Sequence, residues 1–132
     1  MPQLVEQHAG KQRRDIKHAG RAGLLIFDAE EKIDAAKEAL AESRYADTVY
    51  HAYAAGIHTA KALLLGNNIR CNTHQGIIND FDQHLVHDYQ LEGFNSFEEL
   101  ILQIRMREAG ETFAKEYLAA VTSFVEQAKL KR

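Results

Sequence analysis

The stretch Arg44–Leu65, RYADTVYHAYAAGIHTAKALLL, decides the fold. It holds no proline and a single glycine, and it is rich in alanine and leucine, so it predicts one unbroken helix. Set about 100° apart around an axis, Tyr45, Val49, Ala52, Tyr53, Gly56, Ile57, Ala60, Leu63 and Leu64 share one wide arc, with Tyr50 at its edge. An arc this broad predicts a helix in the middle of the fold, with partners on two sides. The opposite arc carries Arg44, Asp47, Thr48, His51, Ala55, His58, Thr59 and Ala62. Small residues and histidines stand where an exposed face would favour Lys and Glu, so this face is expected to be covered too.

Working outward, Leu24, Phe27, Ile33, Ala36 and Leu40 recur near helical spacing and predict a first core helix. Glu42-Ser43 is the turn, with Ser43 as the expected N-cap of the central helix. A connection this short makes the two helices antiparallel neighbours. On the other side, Gly66-Asn67-Asn68 is a C-cap signal. Thr73 is placed to cap a third helix, His74 to about His87, with Ile77, Ile78, Phe81 and Leu85 facing inward. Asp88–Asn95 reads as loop. Ser96 and Glu99 match a capping box ahead of Phe97, Leu100, Ile101 and Ile104. Gly110 breaks the pattern, and a last run follows through Phe113, Tyr117, Ala120, Val121, Phe124 and Ala128. No segment alternates with period two, so no strand is expected. The expectation is an all-α fold, an antiparallel up-and-down bundle of four to five helices. Residues 1–23 form a polar basic N-terminal segment and residues 24–132 the bundle.

At 132 residues the chain has the length of one domain and enough surface to bury a core without disulfides or metals. The lone Cys71 has no internal disulfide partner, and no leader sequence is evident, which points to a cytoplasmic home. The longest apolar runs, Leu24–Phe27 and Ala62–Leu65, are too short to span a membrane. The net charge of −3 is uneven: residues 1–21 carry five basic and two acidic side chains, which leaves −6 on the rest. An acidic body is a poor surface for phosphate backbones, so nucleic acid is not the expected partner.

Three constellations bear on chemistry. Asp47, His51 and His58 lie close together on the small-residue arc, where an i, i+4 carboxylate can orient an imidazole as base and orienter. The plainer reading is a histidine satisfied inside a helix interface. Asp80, His84, His87 and Asp88 have chelating spacing, but no zinc signature is present, and no metal site is assigned. Arg70-Cys71-Asn72-Thr73-His74 is the densest polar cluster. Arg70 can hold a phosphate beside the free amides that open the third helix, and Cys71 there can gain thiolate character. The plainer reading is a capped loop with a packed cysteine.

Arg44-Tyr45, Asp47, Tyr50, Ala52-Tyr53, His58 and Ala60-Lys61-Ala62-Leu63-Leu64, followed by Thr73-His74-x-Gly76, resemble the HEPN domain, a family named for nucleotide binding in higher eukaryotes and prokaryotes. The similarity runs from about Leu24 to Lys129. It implies a helical bundle, commonly a homodimer, that pairs with a minimal nucleotidyltransferase in toxin–antitoxin modules or is fused to a larger enzyme. The nuclease branch carries Arg, four to six residues, then His in a late helix. Here Arg105 and Arg107 are present, but no His follows His87. The tail also reads Arg107-Glu108-Ala109-Gly110 where many non-nuclease members have Arg followed by Asp-Tyr.

The resulting expectation is a HEPN-like binding module of the non-nuclease branch. It self-associates through Arg44, Asp47, Thr48, His51, Ala55 and Ala62. It takes a nucleotide, the one ligand envisaged, at Arg70, Thr73, His74, His58 and His51. A nucleotidyltransferase-type or fused enzyme partner is envisaged, with no other cofactor. One alternative is a metal-independent endoribonuclease using Arg70 and His74. Another is an accessory domain of a sulfite or nitrite reductase-like protein, implied by the Cys-Asn-Thr-His segment ahead of Gly76-Ile77-Ile78-Asn79-Asp80-Phe81.

Overall fold

A computed structural model of the chain describes residues 10–91 and 93–131, with side-chain detail from residue 20 onward. Five α-helices follow one another: α1 Gly10–Ala41, α2 Tyr45–Gly66, α3 His74–His84, α4 Phe97–Met106 and α5 Glu111–Lys131, with one 3-10 turn at Val86–Asp88. No strand occurs among the described residues, only a single bridge between Leu91 and Phe94. The antiparallel all-α bundle expected from the sequence is the fold, with α2 at its centre against α1, α3 and α5.

The first helix differs from expectation at both ends. It is helical from Gly10 but interrupted at Gly20, whose φ of 70° and ψ of −155° leave the helical region. Only glycine adopts that conformation without strain. Its buried stripe is Ile26, Ala29, Ile33, Ala36 and Ala39, whereas Leu24, expected in the core, is 48% exposed. Ser43 does not cap α2. It sits at φ 61° as the left-handed residue that closes α1, while the Arg44 amide donates back to the Ala39 carbonyl at 2.8 Å. The N-cap position of α2 therefore falls to Arg44, which supplies no side-chain cap. Asn68, not Gly66, takes the left-handed conformation after α2, and Asn67 Nδ2 donates to the Leu63 carbonyl at 2.8 Å.

The later caps form as expected. Thr73 Oγ1 accepts from the Gly76 amide at 3.0 Å, and Ser96 Oγ accepts from the Glu99 amide at 3.0 Å. Asp82 adds a cap that crosses the fold. From α3, its carboxylate accepts from the Phe97 and Glu98 amides at 2.7 and 2.9 Å and fixes the start of α4. Below it, Phe81, Phe97 and Phe124 meet with ring centroids 5.1 to 5.6 Å apart and join α3, α4 and α5 in one aromatic core.

The small residues of the second arc of α2 are buried within the single chain. Gly56 turns toward Phe97 and Val121, and Tyr53 turns toward His74. Thr48, Ala55, Thr59 and Ala62 on the remaining face have no exposed surface within the single chain. The most extensive packing of α2 is with α1, and Ala62, at the far end of this face, also borders a cleft with Tyr89 and Lys131. Fully buried alanines on both helices, Ala29, Ala36 and Ala39 on α1 and Ala55 and Ala62 on α2, allow the close approach. Thr48, Ala55 and Ala62, expected on a self-association face, are fully buried within the single chain. Arg44 and Asp47 are exposed and paired with each other at 2.8 Å, with Glu42 on the other side of the guanidinium.

Candidate functional site

The wide arc of α2 is not wholly consumed by the core. Between α2, α4 and the start of α5 an open cleft of about 290 Å³ remains. Val49, Ile101, Ile104 and Phe113 form its apolar lining, and Tyr50, Tyr53, Arg105 and Arg107 bring the polar groups. Tyr50 and Tyr53 are three residues apart and so stand on one side of the helix, about a turn apart along it. Tyr50 is 66% exposed, and Met106, between the two arginines in sequence, is 73% exposed. Apolar walls with a few convergent polar groups are the ordinary make-up of a ligand site.

The two arginines are held differently. Arg107 Nη1 lies 3.1 Å from Glu116 Oε1, and its guanidinium covers the Phe113 ring 4.3 Å from the centroid. Arg105 makes no hydrogen bond or ion pair with the other described residues, and its charge acts on Tyr53. Burial raises the Tyr53 hydroxyl above the usual phenol range and Arg105 offsets part of that rise. The same hydroxyl shares a 2.8 Å hydrogen bond with His74 Nδ1, the rings meeting edge-on at 5.9 Å. Tyr53 therefore ties the cleft to the first residue of α3.

Of the residues proposed from sequence, His74 reaches this site through Tyr53. His58 lies within electrostatic range of His74. Burial chiefly, and then Lys32, hold its imidazole below the ordinary range, while Asp28 pulls the other way. Its Nδ1 is buried without a hydrogen-bond partner among the described residues. His51 packs edge-on against Tyr50 at 5.9 Å and is not oriented by Asp47, whose carboxylate is bound to Arg44. Thr73 is engaged as the cap of α3. Arg70 is exposed and makes no hydrogen bond or ion pair with the other described residues. The cleft does not include it.

Cys71 is also corrected. Its Sγ donates to Asp80 Oδ2 at 2.9 Å. Burial, reinforced by that carboxylate, pushes the thiol up to about 11, so it is not a thiolate near neutral pH. Asp80 is turned inward to this bond, away from any chelating arrangement with His84 or His87. The residues missed as a site were Tyr50, Tyr53, Arg105 and Arg107. Their signal was present in two tyrosines at i, i+3 and two arginines closing a short helix, but nothing local in the sequence says that α4 faces that part of α2.

With this geometry established, comparison with known proteins adds two findings. The HEPN domain family model matches residues 22–127. A protein of Methanocaldococcus jannaschii named a "putative toxin" is 39% identical over 79 residues, which is 60% of this chain and 58% of that protein. The match thus spans less than two thirds of the relative's length.

Proposed function

The chain belongs to the HEPN domain family, and on that premise we propose that it acts as a binding module whose ligand is a nucleotide held in the cleft between α2, α4 and α5. The observation that supports this reading is the Arg105 guanidinium, without a hydrogen bond or ion pair among the described residues, beside the Tyr50 and Tyr53 rings on one apolar cleft. Aromatic faces stack on a base whatever its identity, and a guanidinium fork matches a phosphate bidentately. The phosphate anchor of this reading is Arg105, in place of Arg70. Self-association and a nucleotidyltransferase-type partner remain part of the proposal. Their contact surface is the exposed Tyr50 and Met106, residue types enriched at interface cores. The test is a melting-temperature titration with AMP and ATP. Nucleotide stabilises the wild type and Arg70→Ala alike, and Tyr50→Ala and Arg105→Gln remove most of the shift. No shift in the wild type, or a shift lost only in Arg70→Ala, overturns the reading.

One observation favours a second reading, cleavage of RNA. His74 and Arg105 both bear on Tyr53, so a histidine stands next to the cleft that carries the arginine, without a late-helix histidine. The relative's name fits a toxin. Incubation of RNA with wild type, His74→Ala and Arg105→Gln separates the readings: cleavage lost in both variants favours the nuclease, and equal background in all three removes it.

A further inference from the structure

Resting on the nucleotide reading, the chemistry of the cleft narrows the ligand class. We propose that the site takes nucleoside monophosphates without discriminating among the bases, and gains nothing from further phosphates. The inference starts from what the cleft lacks. Ten residues line it, and the only polar side chains among them are two tyrosine hydroxyls and two guanidiniums. Among the described residues that line it, there is no Asn, Gln, Asp or Glu to read the donor and acceptor pattern of a base edge. A tyrosine hydroxyl both donates and accepts, so it serves any base equally, and the Tyr53 hydroxyl is already engaged by His74. Selectivity among bases needs buried polar groups that a wrong base leaves unpaired; here the Tyr53 hydroxyl is engaged by His74, Arg107 by Glu116, and Arg105 is assigned to the phosphate.

The charge inventory limits the phosphates in the same way. Arg107 is committed to Glu116 and to the Phe113 ring. Arg105 is the one guanidinium of the cleft without a partner among the described residues, and one fork binds one phosphate. No carboxylate or hydroxyl of Ser or Thr lines the cleft, so nothing is placed to hold the divalent ion that accompanies a triphosphate. The volume of about 290 Å³ suits one nucleoside and its first phosphate. Additional phosphates would extend past Arg105 into solvent.

The experiment is a calorimetric titration of wild-type chain with AMP, GMP, CMP, UMP, adenosine, ribose 5-phosphate and Mg-ATP. The four monophosphates are expected to agree within about threefold. Adenosine and ribose 5-phosphate each bind at least about tenfold more weakly, the order of one charge-assisted contact or one stacked base. Mg-ATP binds no tighter than AMP. Arg105→Gln lowers AMP affinity to that of adenosine and leaves adenosine unchanged. A single base preferred more than about tenfold, or Mg-ATP tighter than AMP by that factor, overturns the inference while leaving nucleotide binding intact. Absence of heat with every ligand, confirmed by unchanged melting temperatures, overturns both.

Discussion

The two sides of α2 are made from opposite materials and end in opposite states. One side carries Thr48, Ala55, Thr59 and Ala62, is small, and is fully buried within the single chain. The other carries Tyr50 and Tyr53, is bulky, and faces α4 across a gap. Alanines let a neighbouring backbone come close. Large rings next to the ten-residue α4, which ends at Met106, hold the neighbours apart. Small residues therefore mark the buried side of this helix and large amphipathic ones the open side.

The strongest way to break this contrast is Ala55→Glu. In a closed α1–α2 contact the carboxylate is buried without a partner, and stability falls by several kcal/mol, on the order of 3–5, enough to unfold a marginal domain. Circular dichroism and urea titration read this directly. A fully folded Ala55→Glu chain that differs from wild type only in oligomeric state would restore that face as an intermolecular contact.

A smaller effect is expected where the open side is braced. Asp82 caps α4 across the fold, so Asp82→Ala leaves the Phe97 and Glu98 amides without their acceptor. The expected cost is about 1–2 kcal/mol, the range of a lost helix cap. Because α4 forms one wall of the cleft, ligand affinity should fall with it, whereas the α1–α2 contact should not change. Equal stability of Asp82→Ala and wild type in urea would remove this brace from the account.

The smallest effect is a pH dependence on the side of α2 near α1. The folded His58 imidazole is held below the ordinary value of 6.5, chiefly by burial, so the unfolded chain binds its proton more readily. The contribution is thus fully present above 6.5. It is lost as pH falls through the unfolded and then the folded value. His58→Gln should flatten part of the stability profile between neutral pH and pH 5. A profile that keeps its slope in the variant assigns the dependence to other groups.

How much of this was legible follows from what is local. The central helix, the Thr73 cap and the Ser96 cap depend on residues a few positions apart, and all three stand in the fold. Ser43 was misassigned because the end of α1 and the start of α2 compete for the same residue, and the left-handed closure of α1 takes it. Leu24 was misplaced because it stands nine positions before Ile33, half a turn round the same helix, and so faces away from the stripe of Ile26, Ala29, Ile33, Ala36 and Ala39. Ala55 and Ala62 were legible as a close-packing face, but spacing alone cannot distinguish a helix of the same chain from one of another. The cleft was the least legible. Arg105 and Tyr53 lie 52 positions apart in the sequence. They become neighbours only through the Asp82 cap and the aromatic contact of Phe81, Phe97 and Phe124.

The central claim, that the open side of α2 is the ligand face, is tested most directly by mapping AMP onto the backbone amides by NMR. The account predicts shifts concentrated at Tyr50, Tyr53, Ile104, Arg105 and Phe113, with Ala55 and Ala62 unmoved. Shifts confined to Arg70–Gly76, or none at millimolar AMP, would contradict it.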